Sequence, residues 1–180
     1  FSMNINEFKS RLEFSGARPN LFRVRMVFPE QLGEAAAAQE AEFLIKATAL
    51  PEFTIGTIPI NYRGRIIKLA GDRTFADWSV TVLNDEDYLI RNAFERWSNA
   101  INGMVENITA GDTRTYMKDG RVDQLAKDGS VIRTYVIRDM FPTTVAAIPL
   151  SYDTTDTIQE FDVTLAYQYF EVESPTGVTT

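Results

Sequence analysis

The sequence predicts a mainly β domain, an antiparallel β-sandwich or barrel with one flanking α-helix. Three observations carry that expectation. Eight or so short stretches alternate apolar and polar residues with the period of a half-buried strand. One long stretch, about residues 85–101, repeats its apolar residues at helical spacing instead. The strand-like stretches also follow one another without the regular helical crossovers that a parallel sheet requires.

Taken in order, Asn4-Ile5-Asn6-Glu7 has the form of a capping box. Ile5, Phe8 and Leu12 then share one side of a short helix that must dock on something, because so short a helix is marginal alone. Residues 1–20 therefore read as an N-terminal arm broken at Pro19, residues 21–173 as the β domain, and the small, polar residues 174–180 as a flexible tail. In the first strand Phe22, Val24, Met26 and Phe28 share a face, with Arg23 and Arg25 opposite. Residues 30–42, EQLGEAAAAQEAE, read as an exposed acidic loop leading into a strand at 43–48.

Residues 53–60 are extended, and Gly56 and Pro59 restrict them to an edge or a bulge. Residues 66–70 are partly apolar on both faces, as a strand buried on one side and touching a partner on the other would be. The stretch GDRTFADWSVTVLND at 71–85 reads as a turn at Gly71-Asp72, a strand with Trp78, Val80 and Val82 inward, and a helix cap at Asn84-Asp85. Along the helix, Ile90, Phe94, Trp97 and Ile101 form the core stripe, Arg91, Glu95, Arg96 and Asn99 face outward, and Gly103 is placed as a stop.

Residues 106–129 are polar, with turn signals at Gly111-Asp112, Asp119-Gly120 and Asp128-Gly129, and residues 121–127 read as a short hairpin arm or mobile loop. A strand at 130–141, with Ile132, Val136 and Met140 on one face, ends at Phe141-Pro142, and a short strand follows at 145–152. In the last strand, 158–171, Phe161, Val163, Leu165, Tyr167 and Tyr169 alternate with Glu160, Asp162, Thr164, Ala166 and Gln168. The core expected from these patterns includes Trp78, Phe94, Trp97 and Phe161.

Composition narrows the chemistry. The chain has no cysteine and no histidine, so it lacks a thiolate, a disulfide framework, the usual general base and the commonest metal ligand. A carboxylate-based hydrolase is the enzyme class left open. Asp72 beside Arg73 and the Asp85-Glu86-Asp87 run fit turn and helix-start roles better than a catalytic or metal site, and no cofactor is expected. With 18 basic and 25 acidic residues the net charge is −7, which argues against tight nucleic-acid binding. Arg63 and Arg65, like Arg23 and Arg25, suit salt bridges to another subunit better than phosphate. No apolar run approaches the ~18–20 residues of a membrane helix, and no membrane anchor is expected.

Several blocks together resemble the tail tube proteins of contractile-tailed, T4-like bacteriophages. They are Ala17-Arg18-Pro19-Asn20-Leu21-Phe22, Lys46-Ala47-Thr48-Ala49-Leu50-Pro51, AGDRTFADWSVTVLND at 70–85, Phe94 to Trp97, Phe141-Pro142-Thr143, and Phe161-Asp162-Val163-Thr164-Leu165. The resemblance implies the β fold shared by phage tail tubes and type VI secretion tubes. It implies a non-enzymatic virion subunit, assembled in the host bacterial cytoplasm, whose hexameric rings stack into a hollow tube. The implied partners are further copies of itself, a contractile sheath outside, and baseplate and tail-terminator proteins at the ends. A tape measure protein and then DNA, bound without sequence specificity, would occupy the lumen. A pyocin-like or other contractile injection particle is the nearest alternative. On this reading Asp72, Arg73, Arg63 and Arg65 are candidates for ordering a turn or a subunit contact, and Glu160, Asp162 and Gln168 are candidates for the lumen.

Overall fold

The computed structural model describes Ile5 and residues 17–30, 41–42, 44–103 and 112–174. In chain order it forms β1 (Phe22–Met26), β2 (Ile45–Thr48), β3 (Phe53–Tyr62), β4 (Arg65–Phe75), β5 (Trp78–Leu83), α1 (Leu89–Ile101), α2 (Thr113–Tyr116), β6 (Lys118–Leu125), β7 (Val131–Val145), β8 (Glu160–Ala166) and β9 (Tyr169–Glu173). The N-terminal capping box, most of the acidic loop and the tail from residue 175 lie outside the described residues, although Ile5 is helical.

Seven strands form one antiparallel sheet in the order β1-β6-β7-β8-β5-β2, with β9 also on β7. β1 and β2 end that order unpaired with each other, so the sheet folds over a core without closing into a barrel. The device that folds it is β7. Residues 134–138 of β7 pair with β9, and the same half pairs with β6. Residues 141–145 pair with β8. Between the halves Asp139 takes a positive φ of 53°. The ladder to β8 shifts register between Pro142 and Thr144. Phe141-Pro142 therefore does not stop the strand; proline removes one donor where the ladder is already irregular, and the strand continues to Val145. No separate strand follows at 145–152. Along β7 Val136 and Met140 are buried as expected and Ile137 with them, while Ile132, near the start of the strand, is 42% exposed.

Alternation places the core as expected on β1, β5 and β8. Val24, Met26, Trp78, Val80, Val82, Phe161, Val163 and Leu165 are all buried. α1 closes this core with Ile90, Ala93, Phe94 and Trp97. The Phe28 ring meets Phe94 and Trp97 edge-on at 5.2 and 5.7 Å. Each buried indole donates to a carbonyl, Trp78 to Ala49 at 2.9 Å and Trp97 to Tyr116 at 2.6 Å, so neither burial strands an N–H.

Several local expectations fail, most of them for a non-local reason. The helix begins at Leu89, and Tyr88 precedes it in the left-handed region with no side-chain cap. Asn84 is engaged elsewhere, donating to Gln159 at 3.1 Å. The helix ends on an extended Asn102, without a left-handed glycine at 103. Asp119-Gly120 is not a turn, since both residues lie in β6. Of the hairpin arm or mobile loop expected at 121–127, the arm is what forms, with residues 121–125 pairing with β7 across a turn at 126–130. β6 lies between β1 and β7. An added Cβ on Gly120 would sit 2.9 Å from the end of the Met140 side chain, which would have to shift. Finally, the last strand breaks at Tyr167-Gln168, where the Gln168 N–H bonds to the Arg138 carbonyl at 3.1 Å. β9 then passes to the other half of β7, which leaves Tyr169 43% exposed.

Candidate interaction surface

β3 and β4 pair only with each other, as a two-stranded ribbon standing off the folded sheet. Its turn is Arg63-Gly64, with φ of 46° and 78°, the left-handed pair that matches the twist of a tight hairpin. Gly71-Asp72, expected as a turn, lies inside β4 at a bulge where the register shifts between Ile55 and Thr57. Its glycine serves close approach: a Cβ on Gly71 would lie 3.1 Å from the Gly56 carbonyl oxygen. Pro59 is accommodated because β3 has a neighbour on one edge only, as its composition implied.

The root of the ribbon is an aromatic seat. Phe75 packs on Tyr167 and Phe170 at ring separations of 5.8 and 5.7 Å, and Phe53 reaches Phe170 at 6.1 Å. The Tyr167 hydroxyl donates to the Glu52 carbonyl at 3.2 Å. Burial and the charges of Asp77 and Glu52 raise the Tyr167 pKa, so it keeps its proton and its role as donor. The break between β8 and β9 that the alternation did not reveal is what turns Tyr167 and Phe170 toward this root.

Beyond the root the ribbon is bare. Ile58, Ile60, Tyr62, Ile66, Ile67 and Leu69 are 45–64% exposed. The register puts Ile58 opposite Leu69, Ile60 opposite Ile67 and Tyr62 opposite Arg65, which gathers five apolar side chains on one face. Isolated exposed apolar residues are ordinary, but a contiguous patch on a two-stranded ribbon marks a contact surface. Arg63 lies over the Tyr62 ring at 5.4 Å, and Arg73 over Phe53 at 4.7 Å. Among the described residues, no carboxylate pairs with Arg63, Arg65 or Lys68.

The body carries a second feature, on β6. Asp123 is 1% exposed on the outer side of the β1-β6-β7 sheet. It accepts from Thr134 at 2.7 Å, Arg25 at 2.8 Å and Arg23 at 3.3 Å. Burial alone would raise its pKa; the Thr134 and arginine hydrogen bonds outweigh it and hold the carboxyl below its ordinary range. Next to it Arg138 bonds Asp119 at 2.7 Å and Glu171 at 2.9 Å, which raises the guanidinium pKa. Arg23 and Arg25 thus serve an internal cluster rather than a free outer face. The signal that finds this cluster is spatial, since Arg25 and Asp123 are 98 residues apart.

The remaining sequence candidates separate. Trp78, Phe94, Trp97 and Phe161 are buried. Asp72 and Arg73 sit in β4, while Arg63 is in the hairpin turn and Arg65 directly follows it, so only the latter two are at a turn. Glu160 is paired with Lys46 at 2.6 Å, and Asp162 accepts from Thr81 at 2.7 Å on the polar side of β8. Gln168 lies in the strand break, apart from that ladder. Arg91 is not a free outward residue: it bonds Glu95 at 2.9 Å and the Ala146 carbonyl at 3.0 Å and covers the Phe161 ring at 5.1 Å. Among the described residues no cluster of three acidic side chains could hold a metal ion.

Comparison with known proteins gives this geometry a context. Residues 17–173 match the family described as phage tail tube protein. The chain is 40% identical, over 156 residues, to tail tube protein gp19 of Enterobacteria phage T4, covering 86% of this chain and 91% of that one. A structure of the anti-feeding prophage tube terminating cap superposes with a TM-score of 0.64 at 17% identity, covering 88% of this chain and 91% of that one. A PVC sheath-tube complex of an extracellular contractile injection system gives 0.58 at 14% identity, with 96% and 99% covered. At those identities the two structures speak for the fold.

Proposed function

The chain belongs to the phage tail tube protein family, and we propose that its copies close into hexameric rings that stack into a hollow conduit for DNA. Tail tube proteins are virion components. The observation that carries the self-assembling reading is the β3–β4 ribbon, rooted in aromatics, whose outer half exposes a face of apolar side chains that no described residue of its own chain covers. A subunit that works alone has no use for such a ribbon; one that reaches its neighbours does.

The conduit is passive. Its net charge of −7 per copy opposes tight adhesion of DNA. Asp162, on the solvent side of β8, is the side chain of choice for the bore. Glu160 contributes less because Lys46 offsets it. Gln168, outside the ladder, is the weakest of the three. By analogy with the sheath-tube neighbour, a contractile sheath surrounds the proposed tube. Baseplate and terminator proteins at its ends, and a tape measure inside before DNA, belong to the same proposal. Assembly takes place in the host cytoplasm, and no catalytic step is proposed. The identity to a phage protein favours a virion over a pyocin-like particle.

Negative-stain microscopy of the purified chain tests the proposal directly. Rings or tubes with an open centre are expected. A protein that stays monomeric at high concentration would refute it.

A further inference from the structure

Between β7 and β8, residues 146–159 form a connection that leaves Leu150, Tyr152 and Ile158 at 79%, 105% and 69% exposure. With Ile148, Pro149 and Gln159 they line an open groove of about 610 Å³. The surroundings are acidic. Asp153 and Asp156 lie in the connection itself. The turn bearing Asp85, Glu86 and Asp87 is tied beside it by Asn84 and Tyr88, both bonded to the Gln159 side chain at 3.1 Å. Among the described residues none of these five carboxylates has an ion pair, and neither segment contains a lysine or arginine.

The ribbon is the complement. Residues 53–75 carry Arg63, Arg65, Lys68 and Arg73 against Asp72 alone. The part from Thr57 to the turn extends roughly 20 Å, at about 3.4 Å per residue. Both the ribbon tip and the groove stay exposed, so they do not satisfy each other within one chain.

We propose that the β3–β4 tip of one copy docks in the 146–159 groove of a second copy. Ile58, Ile60 and Tyr62 meet Leu150, Tyr152 and Ile158, while Arg63, Arg65 and Lys68 face the acidic rim. The inference rests on the tube reading and names the surface that receives the ribbon. Apolar contact would supply the adhesion, and opposed charge the orientation and choice of site.

The test exploits the absence of native cysteine. An Asn61→Cys, Thr154→Cys double variant, assembled into tubes and treated with a short bis-maleimide, should give a ladder of covalent multimers. An Asn61→Cys, Thr48→Cys control, which probes the β2 edge instead, should not. Separately, Asp153→Lys with Asp156→Lys should lower sedimentable polymer by roughly tenfold or more. Adding Arg63→Glu with Arg65→Glu to that variant should restore it, which also shows that the swapped chain folds. Asn61→Cys, Thr154→Cys tubes that give no ladder, a ladder from the β2 pair alone, or an acidic-rim swap without effect would overturn the docking and leave the tube reading intact. A wild type that forms no tubes would overturn both.

Discussion

Asp123 offers the sharpest test of how the body is held. Asp123→Asn keeps the shape of the side chain but replaces an anion by an amide that cannot accept from Thr134, Arg23 and Arg25 in the same way. Three donors lie within 3.3 Å of a carboxylate that is 1% exposed. Hydrogen bonds to a charged group contribute about 1.5–3 kcal/mol each when buried. The arginine side chains are 38% and 45% exposed, so their share is discounted for solvent screening. A loss of about 2–4 kcal/mol remains, which for a chain of this size lowers Tm by roughly 5–12 °C. The pH dependence has a defined sign. The folded carboxyl titrates below its ordinary value of 3.8, so its stabilisation is complete above that value and is lost as pH falls through the lower folded one. Calorimetry of unassembled protein from pH 7 to pH 3 should therefore show a Tm gap between wild type and variant that narrows as the pH falls below 3.8. A gap under about 1 °C at pH 7, or one that does not change with pH, would refute the account.

Phe94→Ala should cost about 3–5 kcal/mol in chemical denaturation, because a fully buried ring between Phe28 and Trp97 leaves a cavity. Gly71→Val should push the ribbon strands apart at the Gly56 carbonyl, and hydrogen exchange should show faster amides in β3 and β4 while α1 and β5 stay protected. Glu160→Gln should shift stability by no more than about 1 kcal/mol, despite its short bond to Lys46, because both side chains are half exposed. In an experimental tube structure, acidic side chains should outnumber basic ones along the bore; a basic bore would remove the proposed role of Asp162 without touching the family assignment.

Where one face of a strand meets the core, the sequence declares it. The alternation through Val24 and Met26, through Trp78, Val80 and Val82, and through Phe161, Val163 and Leu165 marks strands because burial there follows the strand period. β6 escapes that logic. KDGRVDQL has few large apolar residues, since Met140 fills the space at Gly120 and distant arginines satisfy Asp123. The ribbon was half legible: its two-faced apolar character showed, but its turn did not. Gly71 looked like punctuation because sequence does not distinguish a glycine needed for close approach from one needed for positive φ, as at Gly64. The helix start misled for a related reason. Asn84 has the chemistry of a cap, but Gln159 claims its side chain from 75 residues away.

If the proposed tube is driven by a contracting sheath, the path of β7 has a mechanical meaning. In a sandwich of two separate sheets, axial force crosses between layers through side-chain contacts, which slide when sheared. Here the same covalent strand hydrogen-bonds β6 and β9 at one end and β8 at the other. Shearing one half against the other therefore loads peptide bonds and three antiparallel ladders together, with the bend at Asp139 as the compliant point. Force applied along the tube would be shared by the whole subunit before any layer could slip.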